Sequence, residues 1–206
     1  MHRRLLTLLA SAALVGTLFV AAPQQAAART FDSTPSIFVA MWGTTYTGDY
    51  ASECNSTDYT VNPGAYDGDG NTFRDSTVLQ NAINDAASGA VIYICAGTYD
   101  IVDQLDSDNT AVTLAGAGEG DGGTTLDAYG STRIIYWDTV DANQNLTLYD
   151  MKLYDGEMPY DGGAVWASAG SLTVDHVTFD GNIAAGQGGA INWDDGGESA
   201  YSLTIT

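Results

Sequence analysis

The sequence predicts an all-β chain wound into a parallel β-helix, a solenoid with one short helix covering its N-terminal end. Two observations carry this. Short apolar runs, among them Val91-Ile92-Tyr93-Ile94, Val112-Thr113-Leu114, Ile134-Ile135-Tyr136 and Leu146-Thr147-Leu148, follow one another between Gly, Asp and Asn turns with no helix between them. Three separate strand patterns then recur at one displacement of 26 residues: Leu146-Thr147-Leu148 as Leu172-Thr173-Val174, Met151-Lys152-Leu153 as Val177-Thr178-Phe179, and Gly162-Gly163-Ala164-Val165 as Gly188-Gly189-Ala190-Ile191. A third copy opens at Leu203-Thr204-Ile205, and the acidic stretch Asp194-Asp195-Gly196-Gly197-Glu198 accounts for its wider spacing. A sandwich also uses short strands but does not repeat three of them in register, whereas stacked turns of a solenoid do.

Alternation within the strands assigns the faces. Leu146, Leu148, Met151, Leu153 and Val165 point inward with their copies Leu172, Val174, Val177, Phe179 and Ile191, and Thr147, Thr173 and Thr204 form an outward ladder. The one helix of the folded region is read from Val78, Leu79, Ala82, Ile83, Ala86 and Ala87 at helical spacing. Thr77 and Gln80 supply a capping box and Gly89 a stop. About 11 residues are too few for an isolated helix, so its apolar stripe must lie on the sheet.

The chain divides into three parts. Residues 1–28 read as a removed export signal: His2, Arg3 and Arg4, an apolar run over 5–22, and Ala26-Ala27-Ala28 as the small-residue cleavage pattern. Thr7, Ser11, Gly16 and Thr17 dilute that run, which disfavours a retained anchor, and no second span follows. Residues 29–76 are irregular apart from an early strand at Ile37-Phe38-Val39-Ala40, and 77–206 form the β-helix. Its last strand is expected to stand uncapped, as in a fragment, because solenoids ordinarily cover their terminal layer.

Six Lys and Arg stand against 26 Asp and Glu, a formal charge of −20. Nucleic acid is excluded as a partner, since phosphate neutralisation needs clustered cations. Export permits a disulfide, and Cys54 and Cys95 are the only two cysteines; the alternative is a pair of buried thiols.

Some residues also carry a resemblance. Leu79-Gln80-Asn81-Ala82-Ile83, Ile92-Tyr93-Ile94 and Gly97-Thr98-Tyr99 resemble the opening of right-handed β-helix proteins of the pectate-lyase-like superfamily, where a short helix caps the solenoid. Phe179-Asp180-Gly181-Asn182 with Gly188-Gly189-Ala190-Ile191 is similar to the Phe-x-x-Asn and Gly-Gly-Ala-Ile motifs of polymorphic outer-membrane protein repeats, which are adhesin-type β-helices. The preceding repeat has Leu153-Tyr154-Asp155-Gly156 in place of the first motif. The resemblance covers residues 77–206 and implies a right-handed coil. It also implies either surface adhesion or, in the lyases, a basic catalytic residue with calcium, for which Arg74, Arg133 and Lys152 are the cations at hand.

Among chemical constellations, Asp67, Asp69 and Asn71 alternate as in a calcium loop, with Asp75 at a later ligand position. Thr72 and Val78 replace the loop's Gly and bidentate Glu, so a polar turn competes with a calcium site. Gly118-Glu119-Gly120-Asp121-Gly122-Gly123 matches a dinucleotide fingerprint in form only; it is acidic and precedes no helix, so it reads as a glycine-rich corner. His176 stacks over Asp150 at the repeat spacing and reads as a surface pair. Asp155, Glu157, Asp161, Asp180, Asp194, Asp195 and Glu198 crowd the last turns, which would allow a glycosidase-like acid pair but is also what solvated turns look like.

Trp166, Tyr160 and Tyr154 are the candidate ligand-binding rings, suited to sugars or protein partners, unless they pack inward or on a rim. The expectation is a secreted or cell-surface protein that binds polysaccharide or a surface protein. The alternative is a polysaccharide lyase or glycoside hydrolase, and a third option is a fragment without a function of its own.

Overall fold

The computed structural model describes residues 35–41, 43–48, 50–57, 59–61, 75–107, 110–139, 144–195 and 201–206. The expected export signal, 1–28, lies outside them. The chain enters through β1 (Ile37–Met41), α1 (Ala51–Cys54), β2 (Tyr59–Val61) and α2 (Asp75–Asn84). Then come β3 (Ala90–Ile94), β4 (Gly97–Asp100), β5 (Leu105–Asp106), β6 (Val112–Gly116), β7 (Thr124–Asp127) and β8 (Ile135–Asp138). The remainder is β9 (Leu146–Tyr154), β10 (Glu157–Met158), β11 (Val165–Ser168), β12 (Leu172–Asp180), β13 (Ile183–Ala184), β14 (Ile191–Asp194) and β15 (Leu203–Ile205).

These strands form three wholly parallel sheets, which the chain revisits in the same order with each repeat. A nine-stranded sheet runs β15-β12-β9-β6-β3-β1-β2, with β4 and β7 attached beside β9; a four-stranded sheet runs β14-β11-β8-β5; and β10 pairs with β13. The repeat is written into the register. Leu146 lies beside Leu172 and Leu172 beside Leu203, Met151 beside Val177, and Val165 beside Ile191. The outward Thr147, Thr173 and Thr204 align as expected, and Thr113 extends the ladder by one more repeat.

Burial follows the alternation. Leu146, Leu148, Met151, Leu153, Val165, Leu172 and Val174 are buried, while Val177, Phe179 and Ile191 are only partly covered because they belong to the last full repeat. The four-stranded sheet contributes a large-small-large column, Trp137, Ala167 and Trp193, in register. The two indole N–H groups donate to the Gln144 and Gly170 carbonyls, so each ring fills the interior without leaving its polar atom unpaired.

Bends hold the sheets at their angles. β9 and β12 each kink at one left-handed residue, Asp150 (φ 48°) and His176 (φ 51°), residue types that tolerate this conformation better than most. His176 hydrogen-bonds Asp175 through Nδ1 and presents its ring edge-on to Tyr149. At the next corner Gly163 is required by space: a Cβ there would stand 2.2 Å from the Gly189 carbonyl oxygen. Asn182 fastens consecutive repeats there, donating to the Leu153 carbonyl at 3.0 Å and accepting from the Gly156 N–H at 2.8 Å.

The helix differs in detail from its expected form. It starts at Asp75 rather than after Thr77, and Gln80 makes no capping box. Instead the Gln80 amide reaches the strand below, accepting from the Asp106 N–H and donating to the Asp106 carbonyl. A tertiary partner offering both a donor and an acceptor displaces the local cap. Leu79, Ala82 and Ile83 are buried against the sheets.

The segment read as irregular supplies β1, which was expected, and also α1 and β2; both strands join the large sheet. The stretch around α1 packs on the outer face of β3. There Phe38, Tyr50 and Tyr93 pack ring to ring, with centroids 4.8–5.8 Å apart, and Cys54 bonds Cys95. Tyr93 and Cys95 are therefore buried although they face away from Ile92 and Ile94. Among the described residues no helix is long and apolar enough to cross a membrane.

Leu148→Ala, at a fully buried position between two neighbouring repeats, is expected to lower unfolding free energy by about 2–5 kcal/mol in urea titration. Ile191→Ala, at the partly covered end, should cost clearly less. Replacing both Cys54 and Cys95 by Ser should cost roughly 2–4 kcal/mol, because it frees a 41-residue loop in the unfolded chain.

Candidate functional site

The outward side chains of β4, β7, β9 and β12 are fixed by the same register as the core. Thr98, Thr125, Lys152 and Thr178 stand one above another, at the spacing of about 4.8 Å that parallel strands impose. A second column, Asp100, Asp127, Tyr154 and Asp180, runs beside it. The first column is the floor of a groove of about 490 Å³.

Its wall comes from an insertion. Where β9 and β12 turn by a single kinked residue, the β6–β7 repeat carries the extra segment 117–123 between Gly116, which meets Asp150, and Thr124. Glycine allows the loop its shape: Gly118 and Gly122 have φ of +128° and +81°, and a Cβ on Gly123 would stand 2.1 Å from the Gly118 carbonyl oxygen. The loop leans along the sheet, and Glu119 accepts a 2.9 Å hydrogen bond from the Thr178 hydroxyl, 59 residues away in sequence. Glu119 and Asp121 thereby line one side of the groove.

Lys152 is the cation of the floor. Its ammonium donates to Asp180 Oδ2 at 2.7 Å and lies 4.5 Å from the centroid of the Tyr154 ring. The Asp180 hydrogen bond is the main cause that holds the Lys152 pKa above its ordinary value, with Asp121 adding to it. At neutral pH Lys152 is therefore a fixed donor and not a general base.

Arg133, the second cation implied by the resemblance to lyases, is committed to the backbone. It is buried, donates to the carbonyls of Gly162 and Asp161, and covers the Tyr136 ring at 5.2 Å. Arg74 lies outside the described residues.

The three candidate rings fall on different elements. Tyr154, at the end of β9, flanks the groove floor. Trp166, on β11, stacks on Tyr136 of β8, with centroids 4.8 Å apart and planes 15° from parallel. These two rings stack on each other, with Arg133 also over the Tyr136 ring and Asn192 in register beside Trp166. Tyr160, in the turn before β11, is the most open, at 71 % exposure. None of the three rings lines the groove; Tyr154 stands in the column beside its floor, against the Lys152 ammonium.

Of the candidate calcium ligands, Asp67, Asp69 and Asn71 lie outside the described residues. Asp75 opens α2, where its carboxylate accepts the Asp100 N–H at 2.7 Å. Burial is the main cause that pushes its pKa up to about 6, with the Asp100 charge adding and the hydrogen bond opposing. Among the described residues, no group of three or more His, Cys, Asp or Glu is placed to hold a metal. Nearby, the exposed Tyr129 donates to Asp100 at 2.8 Å, which pushes the phenol up to about 12.

Comparison with known protein families, with curated proteins and with solved structures finds no match to this chain. The geometry alone carries the functional reading. From the sequence, segment 118–123 reads as a glycine-rich corner, and Thr98, Thr125 and Thr178 do not stand out as site residues. The signal was present in the wider spacing between Val112-Thr113-Leu114 and its partner Leu146-Thr147-Leu148, which marks an insertion in that repeat.

Asp75 also generates a pH prediction. Its folded pKa lies above the unfolded one, so its stabilisation is complete below about pH 4 and is lost as pH rises through about 6. Asp75→Asn keeps an acceptor for the Asp100 N–H and does not titrate. Its Tm relative to the natural chain should therefore climb between pH 4 and pH 6 and level off above, in thermal scans at constant ionic strength.

Proposed function

We propose that this protein acts outside the cell as a right-handed parallel β-helix of the pectate-lyase-like type, and that it binds carbohydrate in the groove over β4, β7, β9 and β12. The observation that carries the proposal is the floor itself: three threonine hydroxyls and one ammonium in an evenly spaced column, walled by the Glu119 loop, with Tyr154 in the adjacent column. Hydroxyls donate and accept, Lys152 donates and carboxylates accept, which matches the mixed hydrogen bonding of a sugar chain. An even ladder suits a repeating polymer.

Export is supported by the N-terminal sequence pattern and by the Cys54–Cys95 bond, which persists in oxidising surroundings. The repeated strand patterns in parallel register support the coil, and the Asn182 bonds to the preceding repeat give the adhesin-type motif a structural role. Surface attachment and adhesion to a polysaccharide-bearing partner follow from the same reading. Trp166 and Tyr160 lie on other elements and would serve as secondary contacts.

A catalytic reading, as polysaccharide lyase or glycoside hydrolase, rests on Glu119 and Asp180 flanking one groove. It is the weaker one, because Lys152 stays protonated and Arg133 is held by backbone carbonyls.

Calorimetric titration with neutral oligosaccharides tests the proposal. Lys152→Met is expected to weaken binding roughly tenfold or more, the consequence of losing charged hydrogen bonds of about 1.5–3 kcal/mol. Trp166→Ala should change affinity little. Absence of binding across neutral and amino oligosaccharides, or affinity indifferent to Lys152, would overturn the assignment, and release of unsaturated or reducing ends would favour the catalytic alternative.

A further inference from the structure

The groove's charges select among sugars, an inference that rests on the binding function proposed above. Two carboxylates line it, Glu119 and Asp121 on the loop, against the single ammonium of Lys152, which Asp180 holds from the adjacent column. Asp180 sits 2.7 Å from that ammonium and neutralises it, so the loop carboxylates set the local potential. The rest of the chain reinforces the sign, at a formal −20. A polymer of uronates or sulfated sugars brings anions to a negative groove and is repelled.

Glu119 is presented differently from a carboxylate on an ordinary turn, and Asp121 lines the same wall. The Glu119 side chain is fixed over the groove by Thr178, which takes one of the acceptor positions that a carboxylate offers. Both acids are exposed, so ligand binding there does not require a charge to be buried without water. An ammonium carries three donors and no acceptor, so it can bond a carboxylate on the wall while ring hydroxyls bond Thr98 and Thr125 below.

We infer that the groove takes a polysaccharide bearing free amino groups, of the deacetylated hexosamine class, with Glu119 and Asp121 as the residues that recognise the amine. The loop that makes the groove thus also sets its specificity. Acetylation of the amine removes the charge that the wall recognises and leaves the floor contacts intact.

Titration of the exported chain with glucosamine oligomers, N-acetylglucosamine oligomers and galacturonate oligomers of equal length tests this. At low salt the amine-bearing oligomer should bind at least tenfold more tightly than its acetylated counterpart, and galacturonate should not bind. Raising salt to physiological strength should narrow the gap, since exposed charges are screened. The double variant Glu119→Gln with Asp121→Asn should abolish the preference for the amine-bearing oligomer over its acetylated counterpart, and an unchanged Tm and far-UV circular dichroism spectrum would show that the variant is folded.

Equal affinity for the amine and the acetylated oligomer would overturn the inference and leave the groove as a neutral-sugar site. Tighter binding of galacturonate would also overturn it. Absence of binding by every oligomer would remove the proposed function and this inference together.

Discussion

The structure depends on one constraint, the in-register parallel pairing of each repeat with the one before. Val112, Leu146, Leu172 and Leu203 occupy successive positions of one column, and every other column follows from that alignment. Because side chains alternate along a strand, register fixes both faces at once: shifting it by one residue would expose Leu148 and Leu153 and bury Thr147 and Lys152. The same hydrogen-bond ladder that builds the interior therefore builds the outward row of Thr98, Thr125, Lys152 and Thr178. The inward and the outward columns thus share one backbone cause.

Departures from regularity are where the chemistry concentrates. Two repeats turn between their strands with one left-handed residue, Asp150 or His176, and leave an open face. A third repeat spends seven residues, 117–123, on the same turn and raises a wall. The first repeat passes the corner at Cys95, which is tied by its disulfide to Cys54 and covered by an aromatic cluster. One corner of the fold is thus used in three ways: as a plain bend, as a groove wall and as an anchor for the N-terminal segment.

The aromatic residues show how sequence position and physical role separate. Trp166 was attractive as an outward ring beside the inward Val165, and it does face outward. Parallel register, however, puts it directly over Tyr136, and rings about one strand spacing apart stack on one another. Tyr154 stands in a column of carboxylates instead, and a lysine covers its face. The same alternation pattern yields a self-satisfied ladder in one sheet and a groove border in another, depending on what the neighbouring repeats supply.

By itself the sequence determined the repeat, the assignment of inward and outward residues, and the presence of a helix at the start, and it allowed the two cysteines only one pairing while leaving open whether they pair. All of these are periodic or local properties, and periodicity survives in a one-dimensional string. Tertiary structure decided the partners of side chains across repeats: Gln80 with Asp106 in place of a helix cap, Asn182 with the preceding turn, Glu119 with Thr178. It also decided that a glycine-rich stretch resembling an ordinary corner is the wall of a groove. The physical reason is that these contacts join residues some 26 to 59 positions apart, and their geometry exists only once backbone pairing has set which repeats lie side by side.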